Sequence, residues 1–229
     1  ENWINWLGPE KIWELYSGAE NPGRTVINGT EWLAHRGSVG RVQPGSQLAI
    51  FDEAGRQCAP HEVGEVYFMT DGGPDAAFHY IGAQSKSLGD WQSLGDLGYL
   101  DDDGYLYIVD RRTDLIVSGG INVYPAEIEA ALDSHPSVES SVAIGLPDAD
   151  LGHRIHAIVQ LAQDARGKLS DEDLRAFLAA TLVRYKIPRS FEYVDEPLKD
   201  NTGKVRRMAL REQRIANAGH SAHLESTTR

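Results

Sequence analysis

The sequence predicts an α+β fold: a small antiparallel, barrel-like β unit followed by a small α+β domain. Residues 37–110 set short apolar stretches between Gly, Pro and Asp, the texture of short strands joined by tight turns. Residues 115–216 alternate strand-like apolar runs with segments whose apolar residues recur at helical spacing. A length of 229 residues allows one large or two small domains. No apolar run approaches the ~20 residues of a membrane-spanning helix.

Residues 1–20 read as a helix followed by a short strand or turn. Their apolar residues, Trp3, Trp6, Leu7, Ile12, Trp13 and Leu15, cannot close a core by themselves. The chain begins at Glu1 rather than Met, so its start reads as a cut or a processing site and the chain as a possible fragment. In the β unit, Leu48–Phe51, Gly64–Phe68 and Tyr105–Val109 read as strands. Asp52-Glu53-Ala54-Gly55 and Asp101-Asp102-Asp103-Gly104 read as turns. Next come a short strand at Leu115–Val117 and a helix opened by Pro125, with Ile128, Ala131 and Leu132 at helical spacing. Val138–Leu146 and Ile155–Leu161 read as strands. Ser170 caps a helix whose third residue is Asp173, close to a capping box. Phe191–Val194 is a last strand, and Val205–Ile215 a basic amphipathic helix. The expected division is 1–110, 111–216 and a disordered tail, 217–229.

The net charge of −12 argues against general nucleic-acid binding. It is unevenly spread: residues 1–110 carry −11, residues 111–183 carry −5 and residues 184–229 carry +4. A basic end on an acidic chain suggests an anionic ligand there, or else a solvated helix face. The lone Cys58 cannot form an internal disulfide, which fits a reducing cytoplasm. Its turn-like surroundings suggest an incidental thiol. His153 and His156 read as two surface histidines.

Four segments could carry chemistry. In Tyr16-Ser17-Gly18-Ala19-Glu20, Glu20 on a tight turn could hold Mg²⁺ or be a solvated acid. In Ser93–Gly98, Asp96 lies between Gly95 and Gly98; a carboxylate can accept two hydroxyl hydrogen bonds from a ribose, or simply cap a turn. The third runs from Asp110-Arg111-Arg112-Thr113-Asp114 through Gly119-Gly120 to Pro125-Ala126-Glu127-Ile128-Glu129. Its glycines could let a ligand approach the backbone, or form an ordinary strand-to-helix loop. The fourth is Asp200-Asn201-Thr202-Gly203-Lys204-Val205-Arg206-Arg207. Lys204 there could neutralise charge developing in a transition state, or be a surface lysine.

In this order the segments resemble the adenylate-forming superfamily of acyl-CoA synthetases, luciferases and nonribosomal adenylation domains. The resemblance covers roughly residues 12–214 and is most specific in the third and fourth segments. It implies ATP, Mg²⁺ and coenzyme A as cosubstrates and cofactor, and a small-molecule carboxylic acid as substrate. Residue by residue, it implies that Glu20 helps place Mg²⁺ and ATP, and that Asp96 binds the ribose hydroxyls. Arg111 contacts the same ribose and phosphate region, and Thr113 lies at the hinge of a mobile C-terminal domain. Gly120, in a loop with Gly119, faces the pantetheine tunnel, and Lys204 bridges carboxylate and α-phosphate during adenylation. Two positions depart from the family pattern: Ala19 stands where threonine is usual, and Thr113 where aspartate or lysine is usual. The family's phosphate loop, adenine pocket and most of its acyl pocket lie upstream of these segments, so the chain is expected to be inactive alone. The leading expectation is an acyl-CoA ligase of the fatty-acid or steroid/bile-acid type. The alternatives are an adenylation domain that loads a carrier protein and a non-catalytic nucleotide-binding module.

Overall fold

The computed structural model describes residues 1–18, 22–71, 87–165, 167–201 and 203–227, with side chains as far as residue 217. The fold is α+β, and the chain divides into two compact units, Glu1–Thr113 and Asp114–Arg229.

The first unit opens with helix α1 (Asn2–Leu7) and strand β1 (Trp13–Ser17). Strand β2 (Arg24–Asn28) follows, then helix α2 (Gly29–Ala34) and strand β3 (Arg41–Val42), and β1-β2-β3 form an antiparallel sheet. The Asn28 side chain caps α2 by accepting from the Glu31 amide, while Glu31 accepts from the Asn28 amide. The larger, curled sheet contains β4 (Ser46–Phe51), β5 (Gly64–Thr70), β6 (Ser87–Leu88), β7 (Trp91–Leu100) and β8 (Leu106–Arg111). Its order is β4-β5-β7-β6, with β8 also paired to β7, all antiparallel. Ile50, Val66, Phe68 and Leu106 form its buried core. The Asp101–Gly104 turn joins β7 to β8; Asp101 Oδ1 accepts the amides of Asp103 and Tyr105. Asp52–Gly55 is also a tight turn, but it does not directly join the paired strands. Only the bridge Phe51↔Gln57 continues the pairing there, and β5 starts at Gly64.

The second unit begins with the hairpin β9 (Ile116–Ser118) and β10 (Ile121–Val123), then helix α3 (Pro125–Asp133). Strands β11 (Val138–Asp148) and β12 (Gly152–Leu161) form a long antiparallel hairpin. Helix α4 (Asp171–Leu178) crosses over to β13 (Ser190–Val194), which pairs parallel with β12. The Ser170–Asp173 capping box is present. Because side chains alternate along a strand, this sheet has two apolar faces. Ala143, Ile155, Ala157 and Val159 pack with Ile128 and Leu132 of α3 and Leu174 and Leu178 of α4. Val142, Ile144, Leu146 and Ile158 pack with Leu210 and Ile215 of helix α5 (Arg207–Thr227).

Helix α5 continues well past Ile215, into the stretch read from sequence as a disordered tail. The sequence there contains Ala216, Ala218, Ala222 and Leu224, good helix formers, and no proline follows Pro197.

His156 corrects another expectation. It is buried, at 8% exposure, rather than a surface residue. Its Nδ1 lies 2.8 Å from Ser190 Oγ and its Nε2 3.4 Å from Glu192 Oε2. Arg214 of α5 donates to both oxygens of Glu192, at 2.7 and 3.0 Å. Burial holds the His156 pKa below the ordinary 6.5, only partly opposed by Glu192. Glu192 is itself held low, chiefly by Arg214.

Ile128→Ala, which empties a fully buried site between α3 and the sheet, is expected to cost about 2–5 kcal/mol in denaturant unfolding. The pH dependence of His156 has a defined sign. A depressed folded pKa means that the unfolded chain binds more protons, so stability is full above pH 6.5 and declines as the pH falls below it. The contribution of Glu192 is lost only at lower pH, below its ordinary 4.5. His156→Gln should therefore flatten the stability profile between about pH 7 and pH 5. An unchanged slope would remove His156 as the cause.

Candidate functional site

In the first unit, three of the four segments meet. Asp96 on β7 sits directly opposite Arg111 on β8 in the strand register. The register shifts just after this pair, between Leu97 and Gly98, and such bulges re-aim side chains. The Asp96 carboxylate is nearly enclosed. Its Oδ2 accepts the Tyr16 hydroxyl at 2.6 Å, and its Oδ1 lies 3.4 Å from Arg111 Nε. Arg111 is 72% exposed at its side chain, so its guanidinium also faces solvent. Burial, then the hydrogen bond to Asp96, pushes the Tyr16 hydroxyl far above its ordinary pKa. It therefore remains protonated and donates. The cluster presents an oriented carboxylate beside an exposed cation, a donor set suited to a hydroxyl-rich anion such as a nucleotide.

A second carboxylate steadies this strand. Glu65 on β5 is 3% exposed; its Oε1 accepts Ser93 Oγ at 2.7 Å and its Oε2 accepts Arg112 Nη1 at 2.5 Å. Ser93 Oγ in turn accepts the Gly95 amide at 2.9 Å, fixing the irregular stretch of β7 before Asp96. Tyr16, Glu65, Ser93 and Arg112 were not singled out by the sequence reading. Glu65 carried a signal: an acid within the apolar run Gly64–Phe68 needs a buried partner.

In the second unit, Gly119 and Gly120 form the two-residue turn between β9 and β10 rather than a strand-to-helix loop. Their φ angles, +59° and +78°, are those of a type I′ hairpin, which demands residues that tolerate positive φ. The Gly119 amide donates to the Leu151 carbonyl at 2.9 Å. A side chain on Gly119 would press on Leu151, whereas the space beside Gly120 is open. A cavity of about 850 Å³ adjoins this turn, lined by Ser118, Gly119, Ile121, Leu151, Tyr185 and the arginines 175, 184 and 189.

Lys204 lies on an exposed turn closed by Asp200. The Asp200 amide donates to the Lys204 carbonyl at 2.9 Å, and the Lys204 amide to Asp200 Oδ1 at 3.0 Å. The ammonium has no hydrogen bond or ion pair among the described residues. Nearby arginines are occupied. Arg207 Nη1 pairs with Asp114, and its Nη2 reaches both oxygens of Glu129 at 2.8 Å. Arg211 donates to the Gly145 carbonyl at 2.8 Å and to His153 Nε2 at 3.3 Å. Much of the basic excess near the C-terminal end is thus consumed internally.

Thr113 ends the first unit, at the division. Glu20 and Ala19 lie outside the described residues. Among the described residues no cluster of three or more His, Cys, Asp or Glu side chains could hold a metal ion. Cys58 packs against the Ile50–Phe68 core, and burial raises its thiol pKa, the opposite of an activated nucleophile. No helix is long and apolar enough to cross a membrane among the described residues.

The AMP-binding enzyme C-terminal domain family matches residues 127–204. The chain is similar to 2-succinylbenzoate–CoA ligase of Geobacillus kaustophilus, 38% identical over 206 residues, 87% of this chain and 41% of that protein. It is also similar to a fatty acid–acyl-carrier-protein ligase of Streptomyces coeruleorubidus, 37% identical over 180 residues, 77% of this chain and 34% of that protein. Among solved structures it resembles o-succinylbenzoate CoA synthetase from Bacillus subtilis in complex with the acyl-adenylate intermediate. There the TM-score is 0.76 and the identity 31%, covering 87% of this chain and 40% of the other. The chain spans about two fifths of the length of such relatives. Residues 127–204 form an AMP-binding enzyme C-terminal domain, and the chain belongs to the adenylate-forming superfamily.

Proposed function

We propose that this chain is the C-terminal part of an AMP-forming acyl-CoA ligase, working with an N-terminal domain that supplies the phosphate loop and acyl pocket, and inactive without it. A cytoplasmic setting suits the lone Cys58. In the first half-reaction a substrate carboxylate oxygen attacks the α-phosphorus of ATP. The bond to the β-phosphate oxygen breaks, and pyrophosphate leaves. In the second, the CoA thiol, as thiolate, attacks the acyl carbon; the bond to AMP breaks and a thioester forms.

The observation that carries this reading is the Lys204 turn. Its ammonium is exposed and unpaired among the described residues, while the arginines that follow on α5 are tied down. A mobile-ended cation on a fixed base suits the encounter of two anions, carboxylate and phosphate, whose repulsion opposes the first step. Asp96, oriented by Tyr16, would accept the ribose hydroxyls, with Arg111 turned to ribose and phosphate. Glu20 would help place Mg²⁺ and ATP; the metal would supply charge neutralisation at the phosphates. The division of the chain at Thr113 supports a pivot there, which would exchange Lys204 for the Gly119–Gly120 turn between half-reactions.

The cavity beside Gly119 supports CoA as acceptor. Arg184 and Arg189 line it and would suit the phosphates of a polyanionic cosubstrate, while Ile121, Leu151 and Ile187 supply apolar lining. The fatty acid–carrier-protein ligase among its relatives keeps one second reading in view, in which a carrier's phosphopantetheine discharges the adenylate.

In the intact enzyme, Lys204→Ala should slow adenylate formation by roughly 10²–10³-fold and largely spare thioester formation from preformed adenylate. Equal loss in both half-reactions would refute the role. Arg184→Ser with Arg189→Ser should raise KM for CoA about tenfold or more, the loss of one or two charge-assisted hydrogen bonds, without slowing pyrophosphate exchange. An unchanged KM would discard the cavity as the CoA site, and discharge by a carrier protein alone would favour the second reading.

A further inference from the structure

Arg207 is the first residue of α5, three positions beyond Lys204. Its side chain is only 15% exposed, enclosed between two carboxylates. One amino group pairs with Asp114, and the other donates to both oxygens of Glu129 at 2.8 Å. Glu129 Oε1 also accepts the Ala143 amide at 2.8 Å. A single guanidinium therefore ties the start of α5 to the first residue of the unit, to α3 and, through Glu129, to β11.

This arrangement leaves Arg207 no role as a substrate ligand, since its amino groups are engaged inside the unit. Its effect falls on what precedes it. Lys204 is separated from Arg207 by Val205, which packs on the apolar face of the sheet, and by Arg206. On its other side the Lys204 turn is closed by Asp200. The loop is thus held by Asp200 on one side and by Val205 and Arg207 on the other.

We propose that Arg207 is the positioning residue for Lys204, fixing the base of the loop so that the ammonium reaches the carboxylate–phosphate encounter. The proposal rests on the adenylation role of Lys204 given above. A planar fork that engages two carboxylates cannot be reproduced by an ammonium, so Arg207→Lys keeps the charge and loses the geometry.

The test uses the intact enzyme and four variants: Arg207→Lys, Glu129→Gln, Lys204→Ala and the double variant Lys204→Ala/Arg207→Lys. Pyrophosphate exchange reports adenylation, and chemically prepared adenylate with CoA reports the second half-reaction. Arg207→Lys is expected to lower the adenylation kcat about a hundredfold, with KM for ATP little changed and the second half-reaction spared. The double variant is expected to be no slower in adenylation than Lys204→Ala alone, because Arg207 acts only through Lys204. The proposal is overturned if Arg207→Lys slows both half-reactions alike, slows neither, or adds its full loss to that of Lys204→Ala. Should Arg207→Lys fail to fold, Glu129→Gln, which keeps the guanidinium and one oxygen acceptor, is judged by the same outcomes. If Lys204→Ala itself loses both half-reactions equally, it is the adenylation role of Lys204 that fails, a result distinct from failure of the positioning role alone.

Discussion

The second unit depends on one constraint, the two-residue period of the β11–β12 hairpin. Odd-numbered Ala143, Ile155, Ala157 and Val159 face α3 and α4; even-numbered Val142, Ile144, Leu146 and Ile158 face α5. A slip of one residue would exchange the two sets and break the fit to both helical layers. The register is pinned at the tight end, where Asp148 Oδ1 accepts the amides of Asp150 and Leu151 at 3.1 and 3.0 Å. It is also pinned within the sheet, where Ser140 Oγ on β11 donates to Gln160 Oε1 on β12 at 2.8 Å. Small residues at 143 and 157 are part of the same solution, because they let α3 and α4 lie close to the strands.

From this sheet the position of Lys204 follows. Apolar contact alone would allow α5 to slide along a surface of branched aliphatic side chains. Arginines at 207, 211 and 214 recur at helical spacing and each finds a fixed acceptor: the Asp114–Glu129 pair, the Gly145 carbonyl and Glu192. Their hydrogen bonds specify one register for a helix that hydrophobic burial holds but does not index. Removing one partner from such a pair leaves a charge enclosed without compensation, which costs about 3–5 kcal/mol in comparable buried pairs. The net charge of +4 at this end therefore includes scaffolding arginines at 207, 211 and 214, whereas Lys204 faces outward.

This accounts for what was legible in the sequence. The capping box at Ser170 and the proline at the start of α3 are local signals, and both elements formed where those signals lie. Val138–Leu146 and Ile155–Leu161 were legible as strands, but nothing local revealed that they would be two arms of one hairpin with helices on both faces. His156 was misread because its neighbours Ser190 and Glu192 are distant in sequence; only the parallel β12–β13 pairing brings them together. The Asp96 cluster divides the same way. Asp96 and Arg111 could be picked out residue by residue, whereas Tyr16 reaches Asp96 across 80 positions of chain. Gly119 and Gly120 were legible as special backbone, yet a pair of positive φ angles in a hairpin explains their glycine character without a ligand.

The Asp96 cluster also shows how unequal partners prepare a site. The Tyr16 bond is short and sheltered, and a hydrogen bond to a charged group is worth about 1.5–3 kcal/mol. The Arg111 contact is longer and mostly in solvent, where such pairs contribute about 0–1 kcal/mol. A carboxylate has about four acceptor positions, so these two partners do not saturate it. A hydroxyl-bearing ligand arriving at Asp96 would therefore displace or share Arg111 at little cost, while Tyr16 would keep the carboxylate aimed. The guanidinium so released stays tethered to the strand residue opposite Asp96, within reach of whatever anion the ligand brings. The weakness of the visible ion pair is thus what suits Arg111 to its proposed role, since a tightly held arginine would compete with the nucleotide it is meant to receive.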